Sequence, residues 1–248
     1  FALNYATPVG LMGGEPYRIM ELTPYVGASK ATSSVILYVM MHIFSHFCFW
    51  FFSIFLYLAL RPVDIAMGTI LAVVGAVSLL AIYFFMKGYK NGMAVRTLKL
   101  LQHIPFIKEW AKRFSENKRE ALERVDSQIA ELHKQRRSTF YASLSLEFMA
   151  RIIGCLEVYF ILNILTTDVS FPACILIMAF TSLFANLFFF SPMQLGAREG
   201  GFALAVGGLA IPGAFGVYTG LITRVRELIW IVIGVLLMKV GNGTPANK

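Results

Sequence analysis

Charge is what this chain has least of. Asp, Glu, Lys and Arg together make up 15% of its 248 residues, against about 25% in ordinary soluble domains, while hydrophobic residues reach 57%. A water-soluble fold of this length has no interior large enough for so much apolar surface. Cysteine is scarce too: Cys48, Cys155 and Cys174 all fall in apolar stretches, where thiols behave as small core hydrophobes. No disulfide is expected. Three motifs are missing: the G-x-x-x-x-G-K-[ST] phosphate loop, the H-E-x-x-H zinc motif and the G-x-S-x-G nucleophile turn. Their absence speaks against ATP-driven pumping by this chain alone, and no nucleophile stands beside a base. Neither a cofactor nor a metal is expected. A charged leader followed by an apolar run and a cleavage site is missing as well. The chain opens on Phe1 and enters the loop-like run Asn4-Tyr5-Ala6-Thr7-Pro8, so it is expected to begin inside a longer protein.

What the chain has instead is long uncharged runs, at 31–60, 65–86, 169–197 and 200–223. Each approaches or exceeds the roughly 20 residues that cross a bilayer as a helix. The fold class that follows is all-α: a polytopic transmembrane helix bundle, read as a single transmembrane domain over 1–248. Thirteen of the 22 Lys and Arg residues lie between Lys87 and Arg137, which assigns 87–139 to the cytoplasm by the positive-inside rule. Alternation then runs 32–60 outward, 65–86 inward, 141–165 outward and 171–190 inward. A broken segment, 192–212, is interrupted by Pro192, Gly196, Gly200, Gly201 and Pro212, and a last apolar stretch spans 213–239.

Within the basic segment, Ile107, Trp110, Phe114, Leu122, Val125, Ile129 and Leu132 recur at steps close to three and four. That is an amphipathic helical pattern. It suits a helix packed under the bundle or one lying on anionic headgroups. Nucleic acid is not an expected partner, because no recognition motif accompanies the charge.

Two fragments share a design. Pro8, Gly10, Gly13 and Glu15 stand in one, with Arg18 just after; Pro192, Gly196, Arg198 and Glu199 stand in the other. In both, Glu follows Pro by seven residues, and 27 residues beyond each Glu stand His42 and Arg226 inside apolar stretches. An internally duplicated membrane protein has this form. Proline and clustered glycine break a helix and expose backbone groups, which hydrocarbon does not tolerate unless protein or water covers them. A helix restarting near either Glu would aim its positive end at the covered space, where a phosphate or carboxylate is at home. The plainer reading is a tight turn with Glu in the first helical turn.

Ionisable residues inside spans are candidates for function by default. Glu147 and Arg151 stand four apart in the order that favours an ion pair, which makes them, with Glu157, an intramembrane relay or a structural pair. Glu157 has no local partner. Arg224 and Glu227, three apart, can pair locally and would leave Arg226 free. His42 and His46 share a helical face at a spacing that can chelate, but no third ligand is near. Gly196 with Gly200, and Gly216 with Gly220, have the small-xxx-small spacing of close helix packing.

At Pro8, Gly10, Gly13 and Glu15, at Pro192, Gly196, Arg198 and Glu199, and at Arg224, the chain resembles the flippase-like family named for the transmembrane region of lysylphosphatidylglycerol synthase. The likeness spans nearly the whole chain. It departs from the family in lacking further N-terminal spans and in carrying His42 where an Arg is usual. The resemblance implies broken or re-entrant helices beside a lipid-binding groove in a bacterial cytoplasmic membrane, and lipid translocation as the activity. On that reading Arg18, Arg198, Arg224 and Arg226 draw a lipid phosphate, and Glu15 and Glu199 hold an amine or sugar hydroxyls. The partners expected are membrane lipids, an anionic phospholipid or a glycolipid, with a homo-oligomer or an envelope enzyme left open. Two rivals stand beside it: the membrane portion of a phosphatidylglycerol lysyltransferase-type synthase, and a scaffold that docks a cell-envelope enzyme through the basic segment.

Overall fold

The structure, a computed structural model, describes residues 3–4, 14–91, 123, 127, 137–166, 168–188 and 194–241. Among these, seven helices and no strands are present. They are α1 (Gly14–Val26), α2 (Ala28–Leu60), α3 (Ile65–Asn91), α4 (Arg137–Leu165), α5 (Phe171–Leu187), α6 (Ala197–Gly207) and α7 (Gly213–Gly241). The all-helical membrane fold anticipated from the apolar runs is the fold observed. Pro8, Gly10, Gly13, Pro192 and nearly all of the basic segment 87–139, including its apolar stripe, lie outside the described residues.

Among the described residues, three helical stretches are long and apolar enough to cross a membrane: Ala28–Leu60, Ile65–Lys87 and Ser138–Leu165. Helix α5 is apolar but shorter, at 17 residues. Helix α7 has the length, 29 residues, yet carries Arg224, Arg226 and Glu227 in its middle. The helix ends have local causes. Asp64 Oδ1 accepts from the Met67 N–H at 2.7 Å and so starts α3. Ser170 caps α5, its Oγ accepting from the Ala173 N–H at 3.4 Å, with Pro172 in the first turn where its missing N–H does no harm. Between α4 and α5, Asn163 closes the turn: its amide oxygen accepts from Val169 N–H and its amide nitrogen donates to the Val169 carbonyl.

The helices group into two compact units, Arg18–Arg151 and the remainder, Phe1–Tyr17 with Ile152–Lys248. In Arg18–Arg151, Phe44, Phe85 and Phe140 bring α2, α3 and α4 together, with Phe44 and Phe85 stacked at 4.2 Å between centroids. In the other unit, Val158, Leu162, Cys174, Ile177, Phe202 and Val206 make a core from α4, α5 and α6. All three cysteines are free thiols.

Candidate functional site: an ion network on α4, α6 and α7

Helix α6 is placed by two glycines that it does not itself contain. A Cβ on Gly216 of α7 would lie 2.5 Å from the Phe202 carbonyl oxygen, and one on Gly220 would lie 3.2 Å from Glu199 Cα. The small-xxx-small pair on α7 therefore lets the backbone of α6 touch α7. On α6, a Cβ on Gly201 would lie 3.4 Å from Thr181 of α5. The same spacing at Gly196 and Gly200 has another meaning, which corrects the packing expectation there. Gly200 has open space around it, and Gly196 is needed for its backbone, with φ at +79° immediately before α6.

Glu199 sits three residues into this start. Its Oε2 accepts from the Gly196 N–H at 2.9 Å, satisfying one of the orphan donors of the helix end. Its Oε1 accepts from Arg224 Nη2 at 2.7 Å and from Nε at 3.2 Å. Arg224 lies one turn beyond Gly220, the residue against which Glu199 packs, so the close helix contact is what brings the two charges together. Arg198, the neighbouring residue on α6, donates to Glu227 Oε1. Glu227 is 3% exposed, and Arg224 Nη1 and Arg226 Nη2 approach it at 3.9 and 3.7 Å. Arg226 Nη1 donates to Glu157 Oε2 of α4 at 2.5 Å.

Two expectations are corrected here. Arg226 is not free: it holds Glu157, the carboxylate that had no local partner. The Arg224–Glu227 pair exists, but at 3.9 Å it is longer than the bond Arg224 makes to Glu199 on another helix. The network thus joins three arginines (198, 224, 226) to three glutamates (157, 199, 227), and its charges balance. Glu227 is the hub, approached by all three arginines, although helical spacing relates it to Arg224 alone.

The first signature is reduced in the described residues to Gly14 and Glu15 at the start of α1. Asn4 secures them: its Oδ1 accepts from the Gly14 N–H at 2.6 Å and its Nδ2 donates to Glu15 Oε1 at 3.1 Å. Both signature glutamates therefore stand in the first turn of a helix, as the plainer reading of the signatures also has it. In the unit Arg18–Arg151, the Arg18 guanidinium lies over the Tyr38 ring, 4.7 Å from its centroid, close enough for a cation–π contact. Arg151 turns its hydrogen bonds to α2, at Ser45, His42 and His46, while Glu147 reaches His42 at 3.4 Å. His42 and Arg226, the residues 27 positions after the two signature glutamates, thus each meet a glutamate of α4, Glu147 and Glu157 respectively.

The family model described as the lysylphosphatidylglycerol synthase transmembrane region matches residues 1–234. The chain is a membrane protein of that family. No curated protein and no solved structure matches it.

Proposed function

We propose that the chain is a lipid flippase or lipid transport protein that carries the polar headgroup of a phospholipid or glycolipid across the cytoplasmic membrane of a bacterium. The observation that carries this reading is the balanced network of three arginines and three glutamates on α4, α6 and α7, in a chain whose family is tied to a lipid synthase by name. Such a network is not what stability requires. Desolvating ion pairs costs several kcal/mol per ion, and apolar residues of similar volume often serve a core as well or better. Charges gathered among apolar helices point to a substrate that needs them. A headgroup with a phosphate can take an arginine from its glutamate, and an amine or hydroxyls on the same headgroup can take the glutamate released. Each exchange then leaves no charge uncovered. Arg198, Arg224 and Arg226 serve the phosphate; Glu199 and Glu15 serve the amine or hydroxyls. Acyl tails stay in the bilayer throughout.

The name of the family keeps a second reading in view, the membrane portion of an aminoacyl-phospholipid synthase, whose transferase chemistry would come from a soluble domain. One experiment addresses both. Purified protein in liposomes with a fluorescent phospholipid in one leaflet is expected to speed its crossing over protein-free liposomes, and Arg198→Gln with Arg226→Gln is expected to abolish the gain. Crossing at the protein-free rate, across several anionic and sugar-bearing lipids, would reject transport by this chain.

A further inference from the structure

Four rings stand one helical turn apart on α2: Tyr38, His42, His46 and Trp50. Successive centroids are 6.2, 5.3 and 5.5 Å apart. Against the two middle rings α4 places Arg151. Its Nε donates to Ser45 Oγ at 2.7 Å and its Nη2 to the His42 carbonyl at 2.8 Å. Its Nη1 lies 3.2 Å from His46 Nδ1, and its Nη2 lies 3.4 Å from His42 Nδ1.

A guanidinium has five N–H donors and no lone pair, so a ring nitrogen that faces it must accept. Both imidazoles are then neutral, with the ring proton on Nε2. Glu147, one turn before Arg151 on α4, lies 3.4 Å from the same His42 Nδ1. A carboxylate asks the opposite of that atom: an N–H, carried best by a protonated ring. One ring atom therefore has two neighbours that demand different protonation states.

We propose that His42 is a proton-binding residue and that Arg151 is a latch between α2 and α4 which acid releases. With His42 neutral, Nδ1 accepts from Arg151 and the latch is closed. When His42 takes a proton from water at Nδ1, the new N–H turns to Glu147 and repulsion drives the guanidinium off. The contact belongs to the neutral ring, so it is present at neutral and alkaline pH and lost as pH falls through imidazole protonation. The groups that face His42 are Arg18 of α1, by way of Tyr38; Tyr38 and His46 of α2; and Glu147 and Arg151 of α4. The Cys48 thiol lies within electrostatic reach of Arg151. With 38% of its side chain exposed, His42 is not sealed between the helices. None of this rests on lipid transport.

The chain has four histidines, so a His103→Asn, His133→Asn variant leaves His42 and His46 as its only imidazoles. Nitrogen-15 NMR of this variant in lipid nanodiscs is expected to show both rings protonated at Nε2 alone at pH 7.5. On acidification one ring is expected to gain its Nδ1 proton, and the Arg151 side-chain signals to move at the same pH. Asparagine keeps an acceptor where Nδ1 was but does not titrate, so His42→Asn should lose at least about half of the wild-type fall in Tm between pH 7.5 and 5.0. Protonation at Nδ1 in both rings at pH 7.5, Arg151 signals that stay still while a ring protonates, or an undiminished fall in Tm in His42→Asn would each overturn the latch. Should His42→Asn not fold, the NMR titration decides alone.

Discussion

Glu199 holds Arg224 with one carboxylate oxygen at 2.7 Å and the N–H of Gly196 with the other at 2.9 Å. A capping role and a charge-pairing role are combined in one side chain. Loss of a cap alone costs about 1 kcal/mol, whereas breaking a buried pair by removing one partner costs about 3–5 kcal/mol. Glu199→Gln leaves Arg224, itself 9% exposed, facing a neutral amide. Its Tm in detergent is therefore expected to fall by more than a cap accounts for. Glu199→Gln, Arg224→Met should recover part of that loss, and no recovery in the double variant would mean that the pair does not set the stability.

Glu227 is approached by three arginines and is almost wholly buried. Glu227→Gln is expected to be the most destabilising single change in the network. Arg226→Gln should do less, because 48% of its side chain is exposed. Comparing the two by thermal unfolding, and Arg226 with Glu157 by a double-mutant cycle, is expected to return a coupling of about 0.5–3 kcal/mol for Arg226–Glu157. Additive effects there would remove α4 from the network.

Gly216 of α7 and Gly200 of α6 separate packing from backbone propensity. Alanine at Gly216 puts a Cβ into the Phe202 carbonyl, and overpacking of this kind costs about 1–3 kcal/mol. Gly200 has open space around it and lies within α6, where Ala is favoured over Gly by roughly 0.5–1 kcal/mol. Gly216→Ala should lower the Tm and Gly200→Ala should hold or raise it. A lowered Tm in both would refute the close α6–α7 approach as its special cause.

The spans were legible because bilayer thickness writes itself into run length: the uncharged runs 31–60 and 65–86 became Ala28–Leu60 and Ile65–Asn91. The break before α6 was legible from Gly196, Arg198 and Glu199 from the second signature, and Arg224 as a charge in an apolar stretch. The pairing was not legible. Helical spacing relates residues three and four apart, but Arg198 meets Glu227 29 positions on and Arg226 meets Glu157 69 positions back. Arg226 without a partner and Glu157 without a partner were two halves of one contact between helices. Likewise, small-xxx-small spacing cannot tell whether another helix lies opposite, and so Gly216–Gly220 and Gly196–Gly200 read alike. One signal was passed over: Tyr38, His42, His46 and Trp50 recur every fourth residue, which places them on a single helical face.

The basic segment offers a test of orientation. A single reactive cysteine at Ser115, with the three native cysteines replaced, is expected to resist a membrane-impermeant thiol reagent added to intact cells and to react once the cells are opened. The charge bias between Lys87 and Arg137 is the reason. Ready labelling of intact cells would reverse the orientation of every span.

Transport and scaffolding differ in which charges matter. If the network and the first-turn glutamates handle a headgroup, Glu15→Gln and Glu199→Gln should slow lipid crossing in liposomes well beyond any loss of folded protein. Charge reversal at Lys112, Arg113, Lys118 and Arg119 should leave crossing nearly intact, because those residues stand among the Lys and Arg of the segment expected outside the membrane. If the chain is a scaffold for an envelope enzyme, the pattern inverts: the reversed segment loses its partner in a pull-down, and the glutamate variants keep it. Stability must be measured alongside, since Glu199 also closes α6 and pairs with Arg224. Crossing rates divided by the folded fraction separate the two. Unchanged normalised crossing in both glutamate variants would remove Glu15 and Glu199 from the headgroup path, even where the protein itself is destabilised.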